Sequence, residues 1–387
     1  MTVLDLRAAE LRAPLLRRAT PALLGYAAVR ALGLVVLAVW SAARGTSAYT
    51  LLTARWDALW YTRVAELGYG YEVRLPNGDV HSNLAFFPLL PWLERLLHAV
   101  TPLSYADAGF TVSLLASLAA AAGIFAVADR VYGTRAGLCA VLLWAVLPVG
   151  IVQSMAYSES LFTALAAWAL YALLTGRWVS AGVLTALAGL TRPVGAAVVA
   201  AVWVTGALSF VRDRRTPGAR APAGRRVLGM LLAPLGAAGY VLWVGHRTGK
   251  GPLGYLDVQA GWRNGFDGGY AFARFVADKF TSFPSALAGA GLIVGVALLL
   301  WLYVTGIRQR QPVALLVYTG VVLALALCAS SYFGSKPRLL LPAFPVLLPL
   351  ARALARSRTP KSVLVTVVLA VVAAVYGAFW LNGSGPP

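Results

Sequence analysis

An all-α polytopic membrane protein is predicted by three features of the sequence. Apolar residues make up 59% of the 387-residue chain and charged residues only 12%, against roughly 45–50% and about 25% in soluble domains. Apolar runs of spanning length recur along the whole chain, and the basic residues gather in alternate connections between them. So little charge cannot cover a soluble protein of this size, which excludes soluble enzymes, disordered chains and secreted disulfide scaffolds. The formal charge of +19 raises nucleic acid as a partner. In a membrane chain, however, Lys and Arg report sidedness first, and no nucleic-acid partner is expected. Cys139 and Cys328 lie inside apolar runs and read as small buried hydrophobes. His81, His98 and His246 have no metal-ligand spacing, so neither metal nor cofactor is expected.

A helix needs roughly 20 apolar residues to cross a bilayer. Runs of this kind lie near 21–43, 108–128, 136–154, 159–175, 179–191, 194–211, 227–245, 286–305, 313–330, 339–351 and 362–380, eleven in all. Those at 179–191 and 339–351 are short and need flanking residues or a broken helix. The first run is too long for a signal peptide and follows a basic arm. Nineteen of the 33 Lys and Arg residues then fall on one side. They are Arg7, Arg12, Arg17 and Arg18 of the N-terminal arm; Arg130, Arg135 and Arg177; six arginines between 212 and 226; Arg308 and Arg310; and Arg352, Arg356, Arg358 and Lys361. That side is expected to be cytoplasmic, with the N-terminus inside and the C-terminus outside.

Leu84–Val100 is apolar enough to count as a twelfth span, but it contains Pro88, Pro91, Glu94 and Arg95. Counting it would put the six-arginine loop outside, so it is read as interfacial or re-entrant. The chain is thus a single domain, 1–387. A first external loop covers 44–107, a basic cytoplasmic loop 212–226 and a second external loop 246–285. The basic loop is read as flexible, a topology determinant in contact with anionic lipid. Arg30, inside the first apolar run, either faces the bundle interior or marks a later helix start.

The chemistry-bearing residues concentrate outside. Residues 51–67 contain no helix breaker and read as one helix. On it Trp56 and Trp60, four apart, share a face suited to the membrane interface. Asp57 points sideways from that face and can take a proton from a substrate hydroxyl, or can simply pair with Arg55 or Arg63. Tyr61 follows on the same helix. His81 and Asn83 precede the aromatic pair Phe86-Phe87. Glu159 opens an apolar helix, where it either serves the helix dipole or functions. Arg192, Lys336 and Arg338, each beside a proline, make a candidate phosphate site or snorkel. No D-x-D or E-x-D pair for a metal-bound nucleotide sugar is present.

Taken in order, several motifs resemble the PIG-V family of mannosyltransferases, named for the enzyme adding the second mannose in GPI-anchor assembly, and its actinobacterial members in particular. They are Arg55-Trp56-Asp57 with Trp60-Tyr61 and Gly68-Tyr69; Ala85-Phe86-Phe87-Pro88; Tyr157-Ser158-Glu159-Ser160; Leu190-Thr191-Arg192-Pro193; and Pro337-Arg338 followed by Leu341-Pro342-Ala343-Phe344-Pro345. Leu339 stands where such proteins often have an aromatic residue. The resemblance implies a GT-C-like glycosyltransferase fold with about 11 transmembrane helices, a polyprenyl-phosphate mannose donor and an inverting, metal-independent transfer outside the cytoplasm. By it Asp57 is the catalytic base. Arg55, Trp56, Trp60, Tyr61, His81, Asn83, Glu159, Arg192, Lys336 and Arg338 contact substrate. An Arg to Lys ratio of 29 to 4 suggests a GC-rich bacterial genome, where the acceptor is a glycolipid or lipoglycan. The rival classes are a lipid or sugar transporter and a non-catalytic subunit of a glycan assembly complex. Transporters often carry two matching halves with broken helices at corresponding positions, and no such symmetry is visible here.

Overall fold

The computed structural model describes residues 14–215, 223–383 and 385. Arg7 and Arg12 of the basic arm and Arg220 of the basic loop lie outside the described residues. Helix α1 (Leu15–Ala43) is followed by α2 (Ala48–Thr53), α3 (Asp57–Leu67), the hairpin β1 (Glu72–Arg74) and β2 (Val80–Ser82), and α4 (Leu89–Val100). The bundle continues with α5 (Tyr105–Tyr132), α6 (Thr134–Ala145), α7 (Ser158–Leu174), α8 (Trp178–Gly189), α9 (Gly195–Arg215), and the consecutive α10 (Ala223–Leu232) and α11 (Leu235–Thr248). Next come α12 (Gly254–Gly261), β3 (Gly265–Phe266), α13 (Tyr270–Asp278), α14 (Phe283–Arg308) and α15 (Val313–Cys328). Last are β4 (Ala329–Ser330), which pairs with β3, then α16 (Lys336–Leu339), α17 (Leu348–Arg356) and α18 (Thr359–Leu381).

Each expected span contains helix. Six helical stretches are long and apolar enough to cross alone: α1, α5, α9, α10 with α11, α14 and α18. The segment 333–356 makes a seventh only as a broken span, bent by 74°. Pro342 and Pro345 lie at that break, where each removes a backbone donor. Helices α6, α7, α8 and α15 are apolar but hold 17 residues or fewer. Helix α4, with 12 residues, is too short to cross. It buries Leu90, Pro91 and Glu94 and exposes Trp92, Leu96 and Val100, the two-faced pattern of a helix lying at an interface.

Helix α5 packs on α6 and α7, α7 on α8, α9 on α15, and α1 on α6 and α18. Small residues allow the closest approaches: a Cβ on Gly182 of α8 would collide with the Gly229 carbonyl of α10. In lipid such packing replaces the hydrophobic drive between helices. Only 11% of the apolar window of α14 is buried, which leaves its leucines and valines to face lipid.

Two expectations change in detail. The apolar run 136–154 is not one helix. Helix α6 stops at Ala145 ahead of Pro148, and a 3-10 turn, Gly150–Ser154, follows. The buried guanidinium of Arg30 donates to the carbonyls of Ala145 and Gly150, so Arg30 faces the bundle interior and satisfies the carbonyls freed by the break. The basic loop 212–226 is shorter than expected. Arg212, Arg214 and Arg215 form the last turn of α9. Arg226 is 1% exposed on α10 and bonds Asp213 at 2.7 Å. Helix propagation and that buried pair place Arg226 away from lipid headgroups.

Candidate active site

The first site element departs from expectation. Residues 51–67 are not one helix: α2 ends at Thr53 and α3 begins at Asp57. Between them Trp56 adopts φ 51 and ψ −126, a conformation that non-glycine residues rarely hold and that costs about 1–3 kcal/mol. Trp56 and Trp60 therefore do not form a common face of one helix. The guanidinium of Arg55 lies 4.2 Å from the Trp56 ring centre. Trp60 turns instead into an aromatic cluster, stacked on Phe86 at 5.6 Å and edge-on to Trp262 at 4.9 Å. The break makes Asp57 the first residue of α3, where an acid meets unpaired backbone N–H groups.

Asp57 pairs with neither Arg55 nor Arg63. Its Oδ2 lies 2.8 Å from Nη1 of Arg338, more than 280 residues on in the sequence. Arg338 Nε also reaches Oε1 of Glu159 at 3.3 Å, and Arg192 Nη1 lies 2.5 Å from the same oxygen. Glu159 sits in the first turn of α7, Arg192 in the turn joining α8 to α9, and Arg338 in the short helix α16. Four helix ends thus deliver two acids and two bases to one point.

The cluster is electrically balanced yet incompletely bonded. Both carboxylate oxygens of Glu159, and Nε and Nη1 of Arg338, are buried with no aligned hydrogen bond. The ions touch without N–H vectors aimed along the contacts. Asp57 is the more open acid: its side chain is 24% exposed against 2% for Glu159. Arg192 donates to Ser158 Oγ at 3.2 Å, and that hydroxyl meets the Tyr61 hydroxyl at 2.7 Å. Burial raises the Tyr61 phenol above its ordinary range, which keeps it neutral. Tyr157 lies under the Arg338 guanidinium at 5.0 Å.

An apolar cavity of about 170 Å³ is lined by Pro337, the chain neighbour of Arg338, and by Leu340, Leu341, Leu147, Leu299 and Phe344 among others. Among the described residues no three of His, Cys, Asp and Glu come together as a metal site.

The remaining expected site residues divide. Lys336 does not join Arg192 and Arg338. Its ammonium donates to the carbonyls of Ala326 and Ala329 at the end of α15 and lies over the Phe272 and Phe333 rings. The expected three-cation site is therefore a two-arginine site. Asn83 is fully buried and bonds Gly68 O and Gly70 N. It fixes the turn after α3, in which Gly68 and Gly70 have φ 79 and 122, and so is a positioning residue. His81 stacks on Trp262 at 4.1 Å, and burial lowers its pKa. Trp262, absent from the sequence-based set, ties the second external segment to the first through the Ser82 carbonyl at 3.0 Å. A lone Trp-Arg in a polar stretch was its only signal.

A profile of the dolichyl-phosphate-mannose-protein mannosyltransferase family matches residues 83–243. Over 154 residues the chain is 34% identical to GPI alpha-1,6-mannosyltransferase 2 of Mus musculus, an alignment covering 37% of this chain and 29% of the mouse protein. The chain thus spans under a third of the curated relative it matches. Among solved structures, ArnT from Cupriavidus metallidurans bound to undecaprenyl phosphate superimposes with a TM-score of 0.52 and 18% identity, over 88% of this chain and 62% of ArnT. The mouse match accords with the PIG-V resemblance of the site motifs. The likeness to ArnT and the long apolar helices together establish a multi-pass membrane protein that shares the ArnT fold.

Proposed function

We propose that the protein transfers a mannosyl residue from a polyprenyl-phosphate donor to a glycolipid or lipoglycan acceptor, with inversion and without metal. The observation that carries this reading is the cluster Asp57–Arg338–Glu159–Arg192, whose Arg338 follows, in the chain, Pro337 of an apolar cavity. A polyprenyl-phosphate sugar has matching chemistry: an anionic phosphate for the arginines and a hydrocarbon tail for the cavity beside Pro337. The similarity to a mannosyltransferase and to a protein solved with undecaprenyl phosphate supports the donor class.

In this mechanism Asp57 accepts the acceptor hydroxyl's proton as the oxygen attacks the anomeric carbon. The bond from that carbon to the phosphate oxygen breaks on the opposite face, and the phosphate leaves with the electron pair. Arg338 and Arg192 stabilise the charge that develops there. Glu159, enclosed by both arginines, holds them in place and is too buried to meet an acceptor. Tyr61 and Ser158 orient Arg192. The exposed strip of Asp57 and its strained neighbour Trp56 suit a base that must be presented at one angle. We further assign eleven spans, the N-terminus and basic connections to the cytoplasm of a bacterial cell, and the site to the outer face of the plasma membrane, on the strength of the charge asymmetry.

Incubating membranes with labelled polyprenyl-phosphate mannose and identifying the labelled lipid tests the activity. No labelled product above a membrane lacking the protein overturns it. Single cysteines replacing Asn77 and Arg177 test the sidedness: labelling of both from the same side overturns the assignment.

A further inference from the structure

The helices that build the candidate site meet again at their far ends. There the end of α7, the start of α8, the last turns of α9 and the start of α15 surround a second cavity of about 330 Å³. Helix α7 has 17 residues, so this cavity lies about 25 Å from Glu159 along the helix axis. It is on the side where the basic connections gather.

Its lining combines two chemistries. Leu174, Trp178 and Leu208 give apolar walls, while Thr205, Ser209 and Arg212 contribute donors. The three polar residues occur at i, i+4 and i+7 on α9, so they form one stripe along the helix. Seven residues at 1.5 Å each make that stripe about 10 Å long. The Thr205 hydroxyl is buried without a hydrogen-bond partner. Thr163, Thr185 and Thr248, on other helices, each donate to the carbonyl four residues earlier. Thr205 is among the residues lining the cavity, and its hydroxyl, like those of Thr62 and Thr319, has no partner among the described residues. Among the described residues Arg212 has no ion pair, whereas its neighbour Asp213 is taken by Arg226. No acid lines the cavity, and Arg214 and Arg215 add positive charge at the same helix end.

We infer that this cavity binds one anionic glycerophospholipid from the leaflet on the basic side. The phosphate lies against Arg212 and Ser209. A glycerol-ester carbonyl accepts from Thr205, and the upper acyl chain lies on Leu174, Trp178 and Leu208. A zwitterionic lipid fits less well, because its cationic headgroup meets arginines and no carboxylate. Basic pockets between helices on the cytoplasmic side are favourable for anionic headgroups in general. The inference is independent of the transferase reading, since none of these residues belongs to the acid–base cluster.

The test uses the purified full-length protein in neutral detergent with added dioleoylphosphatidylglycerol or dioleoylphosphatidylcholine. Bound lipid is counted by native mass spectrometry and stability followed as Tm. The phosphatidylglycerol adduct and a raised Tm are expected, with a markedly weaker response to phosphatidylcholine. Arg212→Gln should weaken phosphatidylglycerol binding about tenfold, the loss of one charge-assisted bond. Thr205→Val should weaken it about threefold. Arg308→Gln, at the same end of the bundle but off the cavity, should leave it unchanged. Equal binding of both lipids overturns the inference. So does an Arg212→Gln variant that binds like wild type, or an Arg308→Gln variant that loses as much. A Tm rise of the same size with inorganic phosphate alone assigns the cavity to a free anion and overturns it as well.

Discussion

The two ends of the bundle treat buried charge differently. At the basic end the acids are closed by aligned hydrogen bonds: Arg18 donates to Asp129 at 2.7 Å, Thr134 bonds the other oxygen of that acid at 2.8 Å, and Arg226 donates to Asp213 at 2.7 Å, while Arg18 Nε and Arg226 Nε and Nη1 stay without partners among the described residues. At the other end, two arginines share the buried Glu159, one of them also touches Asp57, and none of these contacts is an aligned hydrogen bond. A desolvated ion pair repays its cost only when its N–H and oxygen groups are well paired. The closed pairs hold helices together. The open cluster leaves both oxygens of the buried acid Glu159 and two nitrogens of Arg338 without an aligned hydrogen bond, which is the state expected of a site that an anionic substrate completes.

The largest effect that can break this comparison is on Asp57. Asp57→Asn keeps the shape and removes the carboxylate proposed as the base, and turnover should fall by about 10²–10⁴-fold while the protein inserts and melts normally. If Asp57→Asn retained wild-type transfer and Glu159→Gln abolished it, Asp57 would be an anchor and the base would have to be reassigned. Next is Arg338→Ala, which should raise the KM for the polyprenyl donor about 10- to 100-fold, or abolish turnover, through lost charge-assisted bonds to phosphate. An unchanged donor KM places the phosphate elsewhere. A closed pair should behave in the opposite way. Asp129→Asn should cost about 1–3 kcal/mol of stability and leave kcat and KM of the folded protein unaltered, as thermal unfolding and kinetics in parallel will show.

The smallest effect concerns an acid belonging to neither group. Glu94 is fully buried against Gly109 of α5, and neither carboxyl oxygen has a partner. Burial pushes its pKa well above the ordinary carboxylate range, which favours the neutral form in the folded protein. A raised folded value gives a contribution fully present below the unfolded value of about 4.3 and lost as pH rises toward the folded one. Tm of the wild type should therefore fall as pH rises above the unfolded carboxyl value more than that of Glu94→Gln does. Parallel pH profiles for the two proteins would remove Glu94 as the source.

The sequence by itself determined the class of the molecule and singled out the four charged residues that the fold brings together. Apolar runs needed no tertiary information to be recognised as helices, because a bilayer demands long runs that satisfy their own backbone. Glu159, Arg192 and Arg338 stood out as polar groups at the ends of such runs, and Asp57 as an acid on a helix of the first external loop. What local reasoning could not supply was their pairing. Asp57 looked to Arg55 or Arg63 because those neighbours are close in sequence, yet it meets Arg338 from a distant helix end. Lys336 looked like a third phosphate ligand because it lies two residues from Arg338, yet it turns to the carbonyls ending α15. No breaker marks residues 54–56, and the helix breaks there nonetheless, with Trp56 held at positive φ. Propensity favoured continuity by tenths of a kcal/mol per residue. The tertiary contacts of the ion cluster and of the Trp60 aromatic packing outweigh that preference, and only the assembled bundle brings those partners within reach.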